Sequence, residues 1–317
     1  MASIGRPRIS ATLLRLDNPV GSLTIAFWLW KVLVFITIVA CPAPGYDTST
    51  TLVPYVETSA VFDSDAKSLS WPLSFARWDA IYFLHIAEKG YVFEQEWAFS
   101  YPRLLGSLMS AIRWTGGSGG PVNTALVGVV LSHITHYLSV LSLYGLSANI
   151  FGYATVMQRL FCLLSAALHI ICPAGPFLSA PYGESIFSFL NFTGFYLYSS
   201  SLISERNGDT GLRDLKIMLS AILFACATIV RSNGILSGFL FAYDAGSLAW
   251  TSLIRGPSVH LARRLAVILF GGSIVAVGMI MPQIWAYQMY CLAGADVRPW
   301  CNWTIPSIYS WVQSYYW

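Results

Sequence analysis

The sequence predicts an all-α, polytopic membrane protein, and three observations support that prediction. Of the 317 residues, 56% are hydrophobic and only 10% are charged, whereas an ordinary soluble domain carries roughly 25% charged residues. The apolar residues form runs of about 17 to 25, the length of a helix that crosses a bilayer. Basic residues gather in alternate short segments between these runs, as the positive-inside rule describes.

About seven apolar runs qualify as spans by this length criterion. They cover residues 22–41, 125–146, 160–177, 185–203, 217–230, 234–250 and 265–287. The fifth and sixth runs are close enough to form one kinked element. Residues 104–114 are apolar but short, which favours a helix lying in the membrane interface. We therefore expect a single transmembrane domain over residues 1–317, with a large loop at 42–123.

The orientation of the chain follows from the basic residues of its short segments. If the N-terminus is cytosolic, the cytosolic segments hold Arg6, Arg8, Arg15, Arg159, Arg206, Arg213, Lys216, Arg255, Arg263 and Arg264. The short segments of the opposite side hold only Arg231 and Arg298. Loop 42–123 is long enough to be translocated whatever its charge, so we predict that it is lumenal or extracellular.

Four polar segments are predicted to emerge on that same side. They are residues 74–105 of the large loop, 173–185, 231–234 and the tail 291–317. Backbone outside a helix is tolerated at membrane depth only where protein or water covers it. We therefore expect the four segments to meet and to build an interfacial site.

Asp79 is the strongest candidate for chemistry in the large loop. Arg77-Trp78-Asp79 opens a helical pattern that runs to Gly90 and places Tyr82 on the Asp79 face. Two interpretations stay open. Asp79 caps its helix or pairs with Arg77, or it acts as a general base that accepts a proton from a hydroxyl group.

The other charged candidates also have structural alternatives. Glu88, Glu94 and Glu96 are either solvated loop charges or contacts to a sugar. Arg231 ends the fifth run, where a guanidinium either snorkels to the interface or binds a phosphate. Glu184 heads the fourth run, where complementarity to the helix dipole alone accounts for a carboxylate.

Several classes of site and partner receive no support from the residues. The six cysteines form no CxxC pair and have no His partner at metal-ligand spacing, so neither a zinc site nor a redox motif is indicated. A formal charge of +3 is too small to indicate nucleic acid. Cys291 and Cys301 share one predicted compartment, and their spacing leaves a disulfide undecided. Asn302 opens a sequon that is glycosylated if the tail is lumenal, whereas the sequon at Asn191 lies inside a predicted span.

Four ordered blocks of sequence resemble a known family. They are RWDAIYFLHIAEKGY at 77–91, PYGESIFSFLNFTG at 181–194, RSNGILSGF at 231–239 and RPWCNWTIPSIYSWVQSYYW at 298–317. Together they resemble the second mannosyltransferase of glycosylphosphatidylinositol (GPI) anchor assembly, the PIG-V type. That family continues past the tryptophan corresponding to Trp317, so we expect this chain to lack the last spans.

The resemblance implies an inverting membrane glycosyltransferase of the GT-C class in the endoplasmic reticulum. Such an enzyme takes mannose from dolichyl phosphate mannose on the lumenal side. It adds the second mannose, through an α-1,6 linkage, to the mannosyl glucosaminyl phosphatidylinositol precursor. Asp79 corresponds to the acidic residue of the first lumenal loop that this class uses catalytically. No bound cofactor and no metal are expected, and a small membrane partner subunit stays open.

The resulting hypothesis makes Asp79 catalytic and surrounds it with substrate-binding residues. These are Arg77, Trp78, Tyr82, Glu88, Glu94, Tyr182, Glu184, Arg231 and Asn233. Arg231, with Arg77, is predicted to stabilise the departing phosphate. Two other classes of function remain, a membrane lipid or solute transporter and a non-catalytic scaffold subunit of a glycosylation complex. A transporter predicts ionisable groups inside several spans, and the predicted spans are nearly free of them apart from Lys31.

Overall fold

The computed structural model describes residues 16–41, 70–90, 96–100, 103–116, 120–292 and 298–316. Within those residues the chain forms eleven α-helices. They are α1 (Pro19–Ala40), α2 (Trp71–Ser74), α3 (Ala80–Lys89), α4 (Arg103–Gly116), α5 (Pro121–Phe151), α6 (Val156–Ile170), α7 (Gly183–Arg206), α8 (Thr210–Val230), α9 (Gly238–Arg255), α10 (Val259–Tyr287) and α11 (Ile308–Tyr315). Short 3-10 turns cover Glu96–Ser100, Ser232–Ser237 and Pro299–Asn302, and a π-helical turn covers Gln288–Leu292.

The predicted all-α membrane fold is confirmed, and one helix lies under each predicted span. Within the described residues, three helices are both long and apolar enough to cross a bilayer, namely Pro19–Ala40, Pro121–Phe151 and Val259–Leu292. The total of seven spans stays a prediction. The interfacial segment predicted at 104–114 is helical as part of α4.

The predicted third span is wrong at its C-terminal end. It was expected to reach residue 177, but α6 ends at Ile170 and turns follow it. Pro173 and Pro176 lie just beyond that end, and each lacks the backbone N–H that a continuing helix needs. The polar segment at 173–185 therefore begins where the helix stops, and it leads into α7.

The fifth and sixth predicted spans are separate elements. Helix α8 ends at Val230, and the 3-10 turn Ser232–Ser237 joins it to α9. Gly234 makes this tight connection possible, because a Cβ there would lie 2.7 Å from the backbone nitrogen of Thr228. The turn consequently folds back onto the last turn of α8.

The helices around α8 pack closely through small residues. Helix α7 packs against α5 and α8, and α8 packs against α10. A Cβ at Gly278 of α10 would lie 2.5 Å from the carbonyl oxygen of Ala225 in α8. Small residues of this kind let membrane helices approach to backbone contact.

Helices α3 and α4 form a layer over the end of this bundle. Phe83 and Ile86 of α3 are buried against α4, the N-terminal half of α5 and the start of α7. Gly106 of α4 allows the close contact, because a Cβ there would lie 2.4 Å from a methyl group of Ile86. This layer carries Asp79 at its edge.

Lys31 lies inside α1 and is buried, with 2% of its surface exposed. Its Nζ donates to the carbonyl oxygen of Leu178 and to the hydroxyl of Ser179, each at 2.8 Å. An ammonium group inside a membrane helix needs such partners. The contact therefore ties α1 to the segment that precedes α7.

The predicted spans hold more ionisable groups than the sequence analysis expected. Asp244, in the predicted sixth span, accepts a hydrogen bond from the Tyr198 hydroxyl and lies 3.8 Å from the Arg264 guanidinium. Fully buried Arg213 joins the same network through Glu205 and the neighbouring aspartate. Because Arg213 lies in the first turn of α8 and Arg231 follows its last residue, this network is at the opposite end of α8 from Arg231.

The contact between α8 and α10 can be tested with Gly278→Ala. We expect this substitution to lower the free energy of unfolding by about 1–3 kcal/mol, since a backbone carbonyl cannot move aside without separating the two helices. Thermal unfolding of the detergent-solubilised protein measures the effect.

Gly246→Ala is the matched control, because a Cβ at this position of α9 meets nothing within 4 Å. Alanine favours a helix over glycine, so the control should be as stable as the parent protein or slightly more stable. Equal melting temperatures for the two variants would contradict the packing argument.

Candidate functional site

A cavity of about 440 Å³ lies where the four polar segments meet, and that predicted convergence is confirmed. The lining residues are Asp79, Phe83, Phe99, Tyr182, Gly183, Glu184, Ile229, Val230, Arg231, Ser232, Asn233, Tyr309, Val312 and Gln313. The cavity therefore combines aromatic walls with a few charged groups of both signs, as is usual for ligand-binding pockets.

Asp79 occupies the N-cap position of α3 but does not use its side chain as a cap. Its backbone is helical, with φ −62° and ψ −17°, and its carboxylate makes no capping hydrogen bond. The side chain is exposed and lines the cavity. The interpretation of Asp79 as a side-chain cap is therefore wrong, whereas its pairing with Arg77 and its catalytic role stay predictions.

A strained turn precedes Asp79. Trp78 has φ 51°, a left-handed conformation that is uncommon for a residue other than glycine. The carbonyl of Arg77 accepts hydrogen bonds from the backbone N–H of Ala80 at 3.1 Å and from the hydroxyl of Tyr182 at 2.9 Å. These bonds hold the turn, so the structure around it determines where the Asp79 side chain points.

Tyr182 belongs both to this turn and to the cavity wall. Burial, and then the nearby charge of Asp79, raise the pKa of Tyr182 above its usual range. Its hydroxyl is therefore protonated at neutral pH and donates to the Arg77 carbonyl. Tyr182 was predicted to bind substrate, and the structure additionally gives it a positioning contact.

Arg231 and Glu184 form an ion pair across the cavity wall. Arg231 follows the last residue of α8 in an extended conformation, and Glu184 lies in the first turn of α7. Their side chains are 45% and 29% exposed. A guanidinium has five N–H donors, so one partly solvated carboxylate does not saturate Arg231.

The remaining predicted residues lie in different places. Arg77 and Trp78 line a second, smaller cavity instead of this one. Tyr82 packs edge-on against Trp97, with ring centroids 5.1 Å apart. Glu88 accepts a hydrogen bond from Thr124 at 3.1 Å, which links α3 to α5.

Asn233 lines the cavity, in the turn after α8. Glu94 lies outside the described residues. The substrate-binding roles of the predicted residues all stay predictions.

Sequence reasoning missed the residues that α11 contributes. Tyr309, Val312 and Gln313 form one wall of the cavity, although only the tail as a whole had been expected there. Their spacing of three and four residues along a helix was the available signal. Burial raises the pKa of Tyr309 to about 12, so this wall presents a neutral phenol.

Two contacts anchor the tail that carries α11. Cys291 and Cys301 form a disulfide with their Cα atoms 5.7 Å apart, which resolves the pairing that the sequence left undecided. Glu96, only 2% exposed, lies 3.2 Å from Nε of Arg298 and accepts a hydrogen bond from Tyr316 at 2.9 Å. Glu96 therefore binds the first loop to the tail, and its interpretation as a solvated loop charge is wrong.

Tyr316 is suited to this contact with Glu96. Burial, followed by the hydrogen bond to the Glu96 carboxylate, raises the pKa of Tyr316 to about 12. At physiological pH the hydroxyl therefore stays protonated and donates a hydrogen bond to the carboxylate.

The two sequons differ in their accessibility. Asn302 is exposed, so its sequon is accessible. Asn191 lies inside α7 and accepts a hydrogen bond from Ser237 at 2.8 Å. Among the described residues, His, Cys, Asp and Glu form no group of three or more that could hold a metal ion. The expected independence from metal stays a prediction.

Comparison with known proteins gives a consistent result. The family model described as mannosyltransferase (PIG-V) matches residues 23–317. The chain is 52% identical to "GPI mannosyltransferase 2" of Aspergillus oryzae over 96% of this chain and 68% of that protein. It is 50% identical to the protein of the same name in Aspergillus fumigatus over 95% of this chain and 62% of that protein.

A more distant relative is "GPI alpha-1,6-mannosyltransferase 2" of Mus musculus, which is 29% identical over 86% of this chain and 57% of that protein. The chain thus spans between 57% and 68% of the length of these three relatives. No solved structure matches the chain.

The contact between Glu96 and the tail can be tested with Glu96→Gln. Removing the charge weakens bonds to the Arg298 guanidinium and to the Tyr316 hydroxyl, so we expect the free energy of unfolding to fall by about 1–3 kcal/mol. Thermal unfolding and the rate of proteolysis within the tail measure the effect. Asp17→Asn, at an exposed position, is the control, and a Glu96→Gln protein as stable and protease-resistant as this control would contradict the assignment.

Proposed function

The chain belongs to the mannosyltransferase (PIG-V) family, and from this premise we propose that it transfers the second mannose of the GPI anchor. The donor is dolichyl phosphate mannose, and the acceptor is the mannosyl glucosaminyl phosphatidylinositol intermediate. Mannose is joined to the acceptor through an α-1,6 linkage, in agreement with the name of the mouse relative. The observation that carries the proposal is that Asp79 and Arg231 line one cavity.

Asp79 is the general base of this proposal. Its carboxylate accepts the proton of the acceptor 6-hydroxyl while the hydroxyl oxygen bonds to the anomeric carbon of the donor. The bond between that carbon and the phosphate oxygen breaks, and its electron pair leaves with the phosphate. Attack from the face opposite the leaving group converts a β-linked donor into an α-linked product.

Arg231 stabilises the negative charge that develops on the departing phosphate. A preorganised guanidinium in a site with little water is an effective electrostatic catalyst. Glu184 orients this guanidinium through the ion pair on the cavity wall. Asn233, whose amide can both donate and accept hydrogen bonds, lies in the same turn and is suited to sugar hydroxyl groups.

The cavity is proposed to face the lumen of the endoplasmic reticulum. The distribution of basic residues supports this orientation, since the Arg213 network lies at the other end of α8. Donor and acceptor are both anchored by lipid, so a site at the end of the helix bundle lets each reach it from the bilayer. Their sugars then meet in the cavity that Asp79 and Arg231 line.

Asp79→Asn tests the general base. We expect transfer to fall by about 10²- to 10⁴-fold, because the amide cannot accept the hydroxyl proton. The measurement uses cells that lack second-mannose transfer and express the full-length protein, with their lipid-linked intermediates analysed. Cells with the variant should accumulate the one-mannose precursor, and cells with Asp17→Asn should not. Near-normal transfer by a membrane-inserted Asp79→Asn protein would remove this role.

Removal of divalent metal tests the proposed use of arginine in place of a metal ion. Because Arg231 offers the positive charge to the phosphate, we expect microsomes treated with EDTA to retain most of their transfer activity with preformed donor. A loss that added Mg²⁺ or Mn²⁺ restores would show that a metal ion takes part in the reaction.

A further inference from the structure

A second cavity, of about 180 Å³, lies beside the polar one. Its walls are mainly hydrocarbon, with Ile38, Phe75, Phe177 and Ala180 among the lining residues. Among the described residues of this lining, Arg77 contributes the charged side chain. Apolar walls beside one guanidinium are complementary to an amphiphile whose hydrocarbon chain begins directly at an anionic group.

The two cavities share Tyr182 as a common wall. Trp78 lines the apolar cavity and Asp79 lines the polar one, although the two residues are consecutive. The left-handed backbone of Trp78 directs these neighbouring side chains to different cavities. The turn that presents the carboxylate therefore also builds the wall of the apolar space.

The apolar cavity lies near one end of a helix long and apolar enough to span the bilayer. Ile38 is in the last turn of α1, and Phe177 belongs to the segment that the buried Lys31 ties to the same helix. The side chain of Phe177 is 45% exposed. A lipid chain can thus enter from the membrane at this level without crossing the polar cavity.

We propose that this second cavity binds the first isoprene units of the polyprenyl phosphate donor, with Arg77 at its phosphate. The inference rests on the proposed function for its donor and adds the place where the lipid of that donor is held. Arg77 then lies at the junction of the isoprenoid chain and the phosphate, and Arg231 lies on the side of the phosphate that bears the sugar.

The number of groups between the reacting atom and the lipid favours the donor over the acceptor as the occupant of this cavity. In the donor, a single phosphate separates the reacting anomeric carbon from the isoprenoid chain. In the acceptor, a mannose, a glucosamine, an inositol and a phosphate separate the reacting hydroxyl from the lipid. The two cavities share Tyr182 as a wall, and this short separation matches the single phosphate of the donor.

Photo-crosslinking tests occupancy without depending on transfer. The probe is a polyprenyl phosphate with a diazirine on its first isoprene unit, added to membranes that contain the full-length protein. We expect labelling of peptides that carry Trp78 or Phe177, suppressed by dolichyl phosphate and not by phosphatidylinositol. Labelling confined to other helices, or suppressed only by phosphatidylinositol, would overturn the proposal.

Ser74→Phe tests the same cavity by filling it, since Ser74 lies in its wall. We expect the KM for the donor to rise about tenfold, the effect of losing the burial of one or two methylene groups. The KM for the acceptor should stay the same. Ser107→Phe, at an exposed position of α4, is the matched control and should change neither constant.

Phe177→Ala is a second variant that keeps the test informative if Ser74→Phe does not fold. It removes a half-exposed aromatic side chain from the cavity wall and should raise the donor KM severalfold. A rise in the acceptor KM alone would assign the cavity to the acceptor lipid and overturn the proposal. Crosslinking at Trp78 or Phe177 in a protein that transfers no mannose would support the lipid site and contradict the proposed function.

Discussion

The hydrogen bond from the Tyr182 hydroxyl to the Arg77 carbonyl, at 2.9 Å, is the contact on which the arrangement of the site depends. It joins the turn before α3 to the segment before α7, two parts of the chain that are far apart in sequence. Trp78 adopts a left-handed conformation that costs on the order of 1–3 kcal/mol. The surrounding contacts must offset this cost, because otherwise the turn would relax and Asp79 would leave the cavity.

The sequence predicted the helices and the meeting of the four polar segments because both follow from the bilayer. Apolar run length fixes the spans, and the cost of exposed backbone in lipid sends irregular segments to the ends of the bundle. The conformation of Trp78 could not be predicted, because tertiary contacts such as that of Tyr182 impose it. The ion pair of Glu184 with Arg231 was equally hidden, since each residue had a sufficient local explanation.

The two ends of helix α8 carry arginines in different surroundings. At its start, Arg213 is fully buried among carboxylates, and such a closed network mainly fixes how α7, α8 and α10 are arranged. At its end, Arg231 is partly exposed and pairs, among the described residues, with the carboxylate of Glu184. The same residue type therefore serves structure at one end and is available for an anionic ligand at the other.

The wall formed by α11 depends on a covalent link made after translation. Cys291 and Cys301 lie on either side of residues 293–297 and hold the tail beside the end of α10. A newly inserted chain has its carboxylate and guanidinium as soon as the helices assemble, but until these thiols are oxidised its third wall is held by noncovalent contacts such as those of Glu96. Completion of the site is thus tied to the thiol-oxidising machinery of the compartment in which the protein matures.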